Sequence, residues 1–198
     1  MNEKSGVEIT SAKGVLAGIL IGIGGVSFLS AEPKALGSFL FAVGLLTVIL
    51  QKYSLFTGKI GYLSRKSDVL PLALMLLRNI VGAVIVGLLT FGAARENAVD
   101  LVAAKLSKPL TEVFVASVFC GVLIYIAVEL FSKEKHPLLV IMPIMAFILC
   151  GFEHCIADAF YFAAARTVNA DVIVFMLICI LGNALGSIAV RFAEKFRV

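Results

Sequence analysis

The stretch Cys150-Gly-Phe-Glu-His-Cys-Ile-Ala-Asp158 sets a carboxylate beside an imidazole inside a run that is otherwise apolar from Leu138 to Ala165. In hydrocarbon an ionised group costs about 2.5 to 3.5 kcal/mol on insertion scales, so it normally faces a cavity or a partner. The stretch therefore reads as a site within a membrane protein. The rest of the chain agrees: 61% of its 198 residues are apolar, 15% are charged and the mean hydropathy is +1.05, far from soluble usage. Met1 to Lys13 is polar and the first apolar run, Gly14 to Ala31, lacks a cleavage site, so it is expected to remain in the mature protein.

Working outward, apolar runs long enough to cross roughly 30 Å of hydrocarbon fall at 14–31, 36–63, 69–94, 110–131, 137–165 and 171–192. These predict an all-α membrane protein with six transmembrane helices joined by short polar connections, a single domain over 1–198. Lys4, Lys13, Arg65, Lys66, Lys133, Lys135, Arg191, Lys195 and Arg197 would share one side, against Lys34, Arg95, Lys105, Lys108 and Arg166 on the other. The positive-inside rule then puts both termini in the cytoplasm. Two runs are too long and too interrupted for plain helices. The second contains Gln51-Lys-Tyr-Ser54 and Leu55-Phe-Thr-Gly58, and the fifth contains Pro143 and Gly151-Phe-Glu-His154. Asn79-x-x-Gly82 in the third run is echoed by Asn183-x-x-Gly186 in the sixth. An odd number of spans per half inverts the second copy, which predicts an inverted 3+3 repeat with broken second and fifth helices, halves at about 14–95 and 109–192, and a solute site near the midplane. Small-residue helix packing is the alternative source of Asn-x-x-Gly. It also accounts for Gly14, Gly18 and Gly22 on one face of the first run.

Several functions are disfavoured. The net charge of +4 comes from basic residues scattered over loops, not interleaved with aromatics as in a nucleic-acid binder. Cys120, Cys150, Cys155 and Cys179 lie in apolar runs without paired spacing, so neither a disulfide framework nor a zinc motif is expected, and no cofactor. Catalysis by Cys155, His154 and Asp158 fails on geometry, because adjacent helical residues point about 100 degrees apart.

Taken in order, Ala17-Gly-Ile-Leu-Ile-Gly22, Leu55-Phe-Thr-Gly58, Asn79-x-x-Gly82, Phe119-Cys120, Gly151-Phe-Glu-His154 and Gly182-Asn-x-x-Gly186 resemble the formate/nitrite transporter family over essentially the whole chain. The resemblance implies an aquaporin-like helical fold, a homopentamer in the cell membrane with one pore per protomer, and permeation by a small monovalent anion such as formate, nitrite or hydrosulfide. By the same resemblance His154 is the central pore histidine, with Thr57 and Asn183 as polar neighbours. Phe41 with Phe147 form one apolar constriction and Leu45 with Phe56 the other. Lys105, at the head of the fourth span, raises the local positive potential, and Glu153 is the glutamate beside the histidine. The chain departs from the family pattern at Lys52-Tyr53-Ser54, Lys59, Gly121 and Asp158. The family's amphipathic helix before the first span is expected to be truncated.

An anion loses its hydration in an apolar constriction and must be paired or neutralised. Imidazole, with a reference pKa of about 6.5, can hold or give a proton near neutral pH. His154 is thus expected to pair with or protonate the anion, with protons as co-partners and Thr57 and Asn183 replacing water. A helix-packing histidine is the plain alternative. Asp158 has two readings: it shares a helical face with His154 and favours the imidazolium, or it pairs with Lys52, Lys59 or Arg78. Lys52 and Lys59 in turn are snorkelling, paired or substrate-facing. A channel for small neutral solutes or undissociated weak acids, and a non-conducting sensor, fit the same fold.

Overall fold

A computed structural model describes residues 11–194. The basic residues Lys4, Lys195 and Arg197 and the expected truncation before the first span lie outside them. Among the described residues the chain is helical: α1 (Ser11–Ser30), α2 (Lys34–Leu50), α3 (Phe56–Lys59), α4 (Val69–Leu89), α5 (Gly92–Leu106), α6 (Leu110–Glu134), α7 (Leu138–Leu149), α8 (Cys155–Ala165) and α9 (Ala170–Glu194). α1, α4, α6 and α9 are each long and apolar enough to cross a membrane, whereas α2, α7 and α8 are shorter. The predicted run 36–63 holds α2, α3 and a 3-10 turn at Ile60–Tyr62, and the run 137–165 holds α7 and α8.

Glycine faces set the framework. A Cβ on Gly18 would stand 2.0 Å from the Asn79 carbonyl oxygen, and one on Gly82 2.1 Å from that of Val15. α1 and α4 therefore touch backbone to backbone, running in the same direction. α6 and α9 repeat the contact: a Cβ on Gly121 would meet the Asn183 carbonyl oxygen at 2.3 Å, and one on Gly186 that of Val118 at 2.1 Å. In lipid no hydrophobic force distinguishes a neighbouring helix from a lipid tail, so such close van der Waals approach carries association. α2 also packs against α7, and α4 against α8.

Polarity runs inside out. Leu77, Leu89 and Leu181 are exposed, while Glu153, His154, Asp158, Asn79 and Asn183 are buried. That reverses the soluble pattern and suits a chain whose outer surface meets hydrocarbon.

Two expectations need correction. The predicted connection 95–109 is largely the helix α5, packed against α8, and Lys105 belongs to its last turn rather than to the head of the fourth span. Ala-rich Gly92–Leu106 is a good helix former, but its polarity disguised it as a loop. Pro143 stands inside α7 without ending it; the interruption comes at Cys150.

Candidate functional site

The site is built where the two interrupted helices meet. α2 and α7 end in the same way. Tyr53 N–H donates to the Val48 carbonyl at 2.9 Å and Lys52 N–H to Ile49 at 3.1 Å, and likewise Phe152 N–H to Phe147 at 2.9 Å and Gly151 N–H to Ile148 at 3.1 Å. Lys52 (φ 54°) and Gly151 (φ 68°) hold the left-handed position of these caps. Beyond each cap a short extended segment lies buried, and its backbone polar groups need partners.

Asn79 and Asn183 supply them. Phe56 N–H donates to Asn79 Oδ1 at 2.8 Å, and Asn79 Nδ2 donates to the Ser54 and Gly14 carbonyls, both at 2.8 Å. Cys155 N–H donates to Asn183 Oδ1 at 2.9 Å, and Asn183 Nδ2 donates to the Glu153 and Ser117 carbonyls, both at 2.8 Å. Both amides are thus committed to backbone. Asn183 was expected among the hydrogen-bonding groups facing a permeant; here its amide positions the chain that carries His154.

His154 is the N-cap of α8. Its Nδ1 accepts the Ala157 N–H at 3.2 Å and its Nε2 stands 2.9 Å from Thr57 Oγ1. A neutral ring whose Nδ1 accepts carries its proton on Nε2, directed at Thr57. The ring stacks on Phe147 (centroids 5.8 Å apart, planes at 20°), and Phe147 meets Phe41 edge to face at 5.9 Å. Leu45 and Phe56 lie buried in the same apolar core. A polar pair from two opposed helix breaks therefore sits behind an aromatic pair.

Asp158 does not reach His154. The N-cap residue has extended backbone (φ −116°, ψ 110°), which swings the imidazole back over the first turn and off the helical face that Asp158 occupies. The carboxylate meets neither Lys52, Lys59 nor Arg78; Lys105 Nζ lies 2.8 Å from its Oδ1, an ion pair without hydrogen-bond alignment. Cys179 Sγ donates to its Oδ2 at 3.3 Å. Lys105 also bonds Glu153, whose other oxygen accepts from Lys108 Nζ at 2.9 Å. The two ammoniums and the two buried carboxylates thus cancel in formal charge, the exposed Glu112 carboxylate stands a further 4.0 Å from Lys108 Nζ, and Tyr161 lies beneath Lys105 at 5.5 Å. Sequence reading missed Lys108, Cys179 and Tyr161 as members. The three-residue spacing of Lys105 and Lys108 was the available signal, since it puts both on one side of a helical turn.

Lys52 and Lys59 lie together elsewhere, on a cavity of about 200 Å³ bounded by Leu45, Val48, Ile49 and Val128. Arg78 packs its stem over Gly14. Among the described residues no group of acidic, histidine and cysteine side chains is arranged to hold a metal.

Residues 3–193 match the family described as formate/nitrite transporter. The uncharacterized transporter YrhG of Bacillus subtilis (strain 168) is 30% identical over 183 residues, spanning 77% of this chain and 69% of that protein. Among solved structures, a pentameric formate channel with formate bound has a TM-score of 0.82 at 22% identity over 98% of both chains. An FNT family ion channel gives 0.81 at 22% identity over 94% of this chain and 88% of that one.

Proposed function

The chain belongs to the formate/nitrite transporter family, and on that premise we propose that it conducts a small monovalent anion through a pore in each protomer of a homopentamer. The observation that carries this reading is the buried pair His154 Nε2 and Thr57 Oγ1 behind Phe147 and Phe41. An anion passing the aromatic pair loses water, and the Nε2 proton with the Thr57 hydroxyl is what it meets next. Either the ring first takes a second proton from water at Nδ1, giving up its bond to the Ala157 N–H, and passes the Nε2 proton to the anion, which crosses as the neutral acid and leaves a neutral ring, or the neutral ring keeps its proton and the anion crosses hydrogen-bonded to Nε2. Asn79 and Asn183 hold both helix breaks in register for that contact. Two inverted halves, at about 14–95 and 109–192, make up the pore domain, set in the cell membrane with both termini cytoplasmic; its role is transport, not catalysis.

A second reading has one observation in its favour. The charges of Lys105 and Lys108 are matched by Glu153 and Asp158, so that mouth lacks a net cationic attractor. This favours a neutral solute or an undissociated acid.

Flux into proteoliposomes decides between them. Formate, nitrite, hydrosulfide and a neutral solute are each followed across pH 5 to 8 for the wild type and His154→Ala. Anion flux reduced at least about tenfold by the substitution supports the first reading. Neutral-solute flux alone, untouched by His154→Ala, overturns it in favour of the second. Native mass spectrometry in detergent reads the pentamer directly.

A further inference from the structure

The Asn79 and Asn183 clamps put the two halves in register, Phe56 N–H answering to Cys155 N–H. Six residues beyond each of these stands a tyrosine, Tyr62 after α3 and Tyr161 in α8. Both rings lie against a cation: Arg191 covers Tyr62 at 5.4 Å and Lys105 covers Tyr161 at 5.5 Å. Their hydroxyls differ. Tyr62 Oη donates to the Glu129 carboxylate, whereas the Tyr161 hydroxyl bonds to none of the described residues although Tyr161 is only 5% exposed.

Tyr161 lines a cavity of about 60 Å³ beside the break between α7 and α8. Asp158, one turn earlier on the same side of α8, lines it too, and its Oδ1 accepts no hydrogen bond although the residue is 1% exposed. A buried acceptor and a buried hydroxyl, each without a hydrogen-bond partner among the described residues, thus share one small space. Leu101, Phe147 and Ile148 give that space an apolar wall.

Charge and size narrow the ligand. Lys105 Nζ already stands 2.8 Å from Asp158 Oδ1, so an entering ion would shed its water and find no unmatched counter-charge. A neutral molecule avoids that cost. It must offer a proton to Asp158 and a lone pair to Tyr161, which a hydroxyl group does at one oxygen. At roughly 30 Å³ for a water-sized group, the cavity takes about two of them, one hydroxyl and one carbon.

We propose that this cavity is a binding site for a short primary alcohol, with methanol the best fit. The alcohol donates to Asp158 Oδ1 and accepts from Tyr161 Oη, and its carbon rests on Phe147 and Ile148. The site stands apart from the anion-transport reading. Its consequence rests on that reading: the alcohol sits against Phe147, one ring of the aromatic pair before His154, and obstructs an anion there.

Two measurements separate site and consequence. Binding is read with purified protein in deuterated detergent, as saturation transfer from the protein to the methyl protons of methanol. The wild type gives a saturable signal, and Tyr161→Phe and Asp158→Asn each weaken binding at least about fivefold. Tyr62→Phe, the equivalent change in the other half, leaves binding as it was, and acetonitrile, which has no hydroxyl, gives no saturable signal. Thermal midpoints of Tyr161→Phe and wild type that match keep loss of fold out of the comparison. A methanol signal that does not saturate, or one that Tyr161→Phe shares in full, overturns the site and leaves a cavity that holds water. Anion flux into proteoliposomes is then followed with and without methanol. Methanol lowers the wild-type flux at least about twofold at half-saturation of the site and spares Tyr161→Phe. Equal inhibition of both proteins overturns the obstruction. Saturable binding to a protein that conducts no anion supports the site and removes the transport reading.

Discussion

Asn183 answers for three buried backbone groups at once, and Asn79 answers for three in the other half. Each orphaned buried group costs about 1 to 3 kcal/mol. Asn183→Ala and Asn79→Ala should each destabilise the protein by roughly 3 to 5 kcal/mol, read as matching drops in the thermal midpoint in detergent. Drops of very different size would break the equivalence of the two clamps. At Lys105 the prediction has another form. Lys105→Met strands the buried Asp158 carboxylate and leaves Glu153 to Lys108 alone, at a cost of about 3 to 5 kcal/mol, and adding Asp158→Asn should recover part of it. A thermal-unfolding cycle that shows no coupling would mean that the 2.8 Å pair carries no energy. The same Asp158→Asn, alone, removes one negative charge from this network and should raise anion flux about two- to fivefold at low salt. Unchanged flux would take this network off the permeation path.

At the level of elements, the decisive event is where a helix stops. α2 and α7 close with the same pair of backbone bonds, yet one has lysine and the other glycine at the left-handed residue. Lys52→Gly should therefore stabilise by roughly 0.5 to 1 kcal/mol, while Gly151→Lys should destabilise by a similar amount, both read as thermal midpoints. A lower midpoint for Lys52→Gly would show that the lysine side chain makes contacts worth more than its backbone strain. The second cap also explains His154. Because α7 stops at Cys150 and α8 starts only at Cys155, the imidazole caps a helix instead of lying along one, and its ring nitrogens face the α8 backbone and Thr57.

Across the whole molecule, the surroundings of the two helix breaks differ in charge although their backbone bonds repeat. The cavity beside the α2–α3 break carries Lys52 and Lys59, and the one beside the α7–α8 break carries the ion pair of Lys105 and Asp158. Exposed charges are screened beyond about 10 Å at 0.1 M salt. The gap in half-saturation for anion current between wild type and the double variant Lys52→Gln with Lys59→Gln should thus shrink several-fold when an impermeant salt is raised from about 10 mM to 0.5 M. Bilayer titrations at both salt levels check this, and a gap indifferent to salt would place the lysines' effect in packing.

Composition and run length were enough to determine an all-helical membrane protein, because hydrocarbon leaves the backbone few solutions and marks each crossing with an apolar run. The order of small-residue and Asn-x-x-Gly motifs was enough for the family, and it singled out His154, which the structure buries beside Thr57. The interruptions at 51–59 and 151–154 were legible because Lys52, Lys59, Glu153 and His154 are ionisable and do not sit unpartnered in a plain span. The partners of the charges were not legible. That Asp158 turns to Lys105, 53 residues earlier, and that Asn183 serves the backbone, follow from how two helix breaks and α5 converge. Spacing along the chain records which groups share a helical face; it does not record which residue at a cap leaves that face. Only the tertiary structure brings distant charges within ion-pair reach, and there the cost of leaving a buried charge alone selects the pairing.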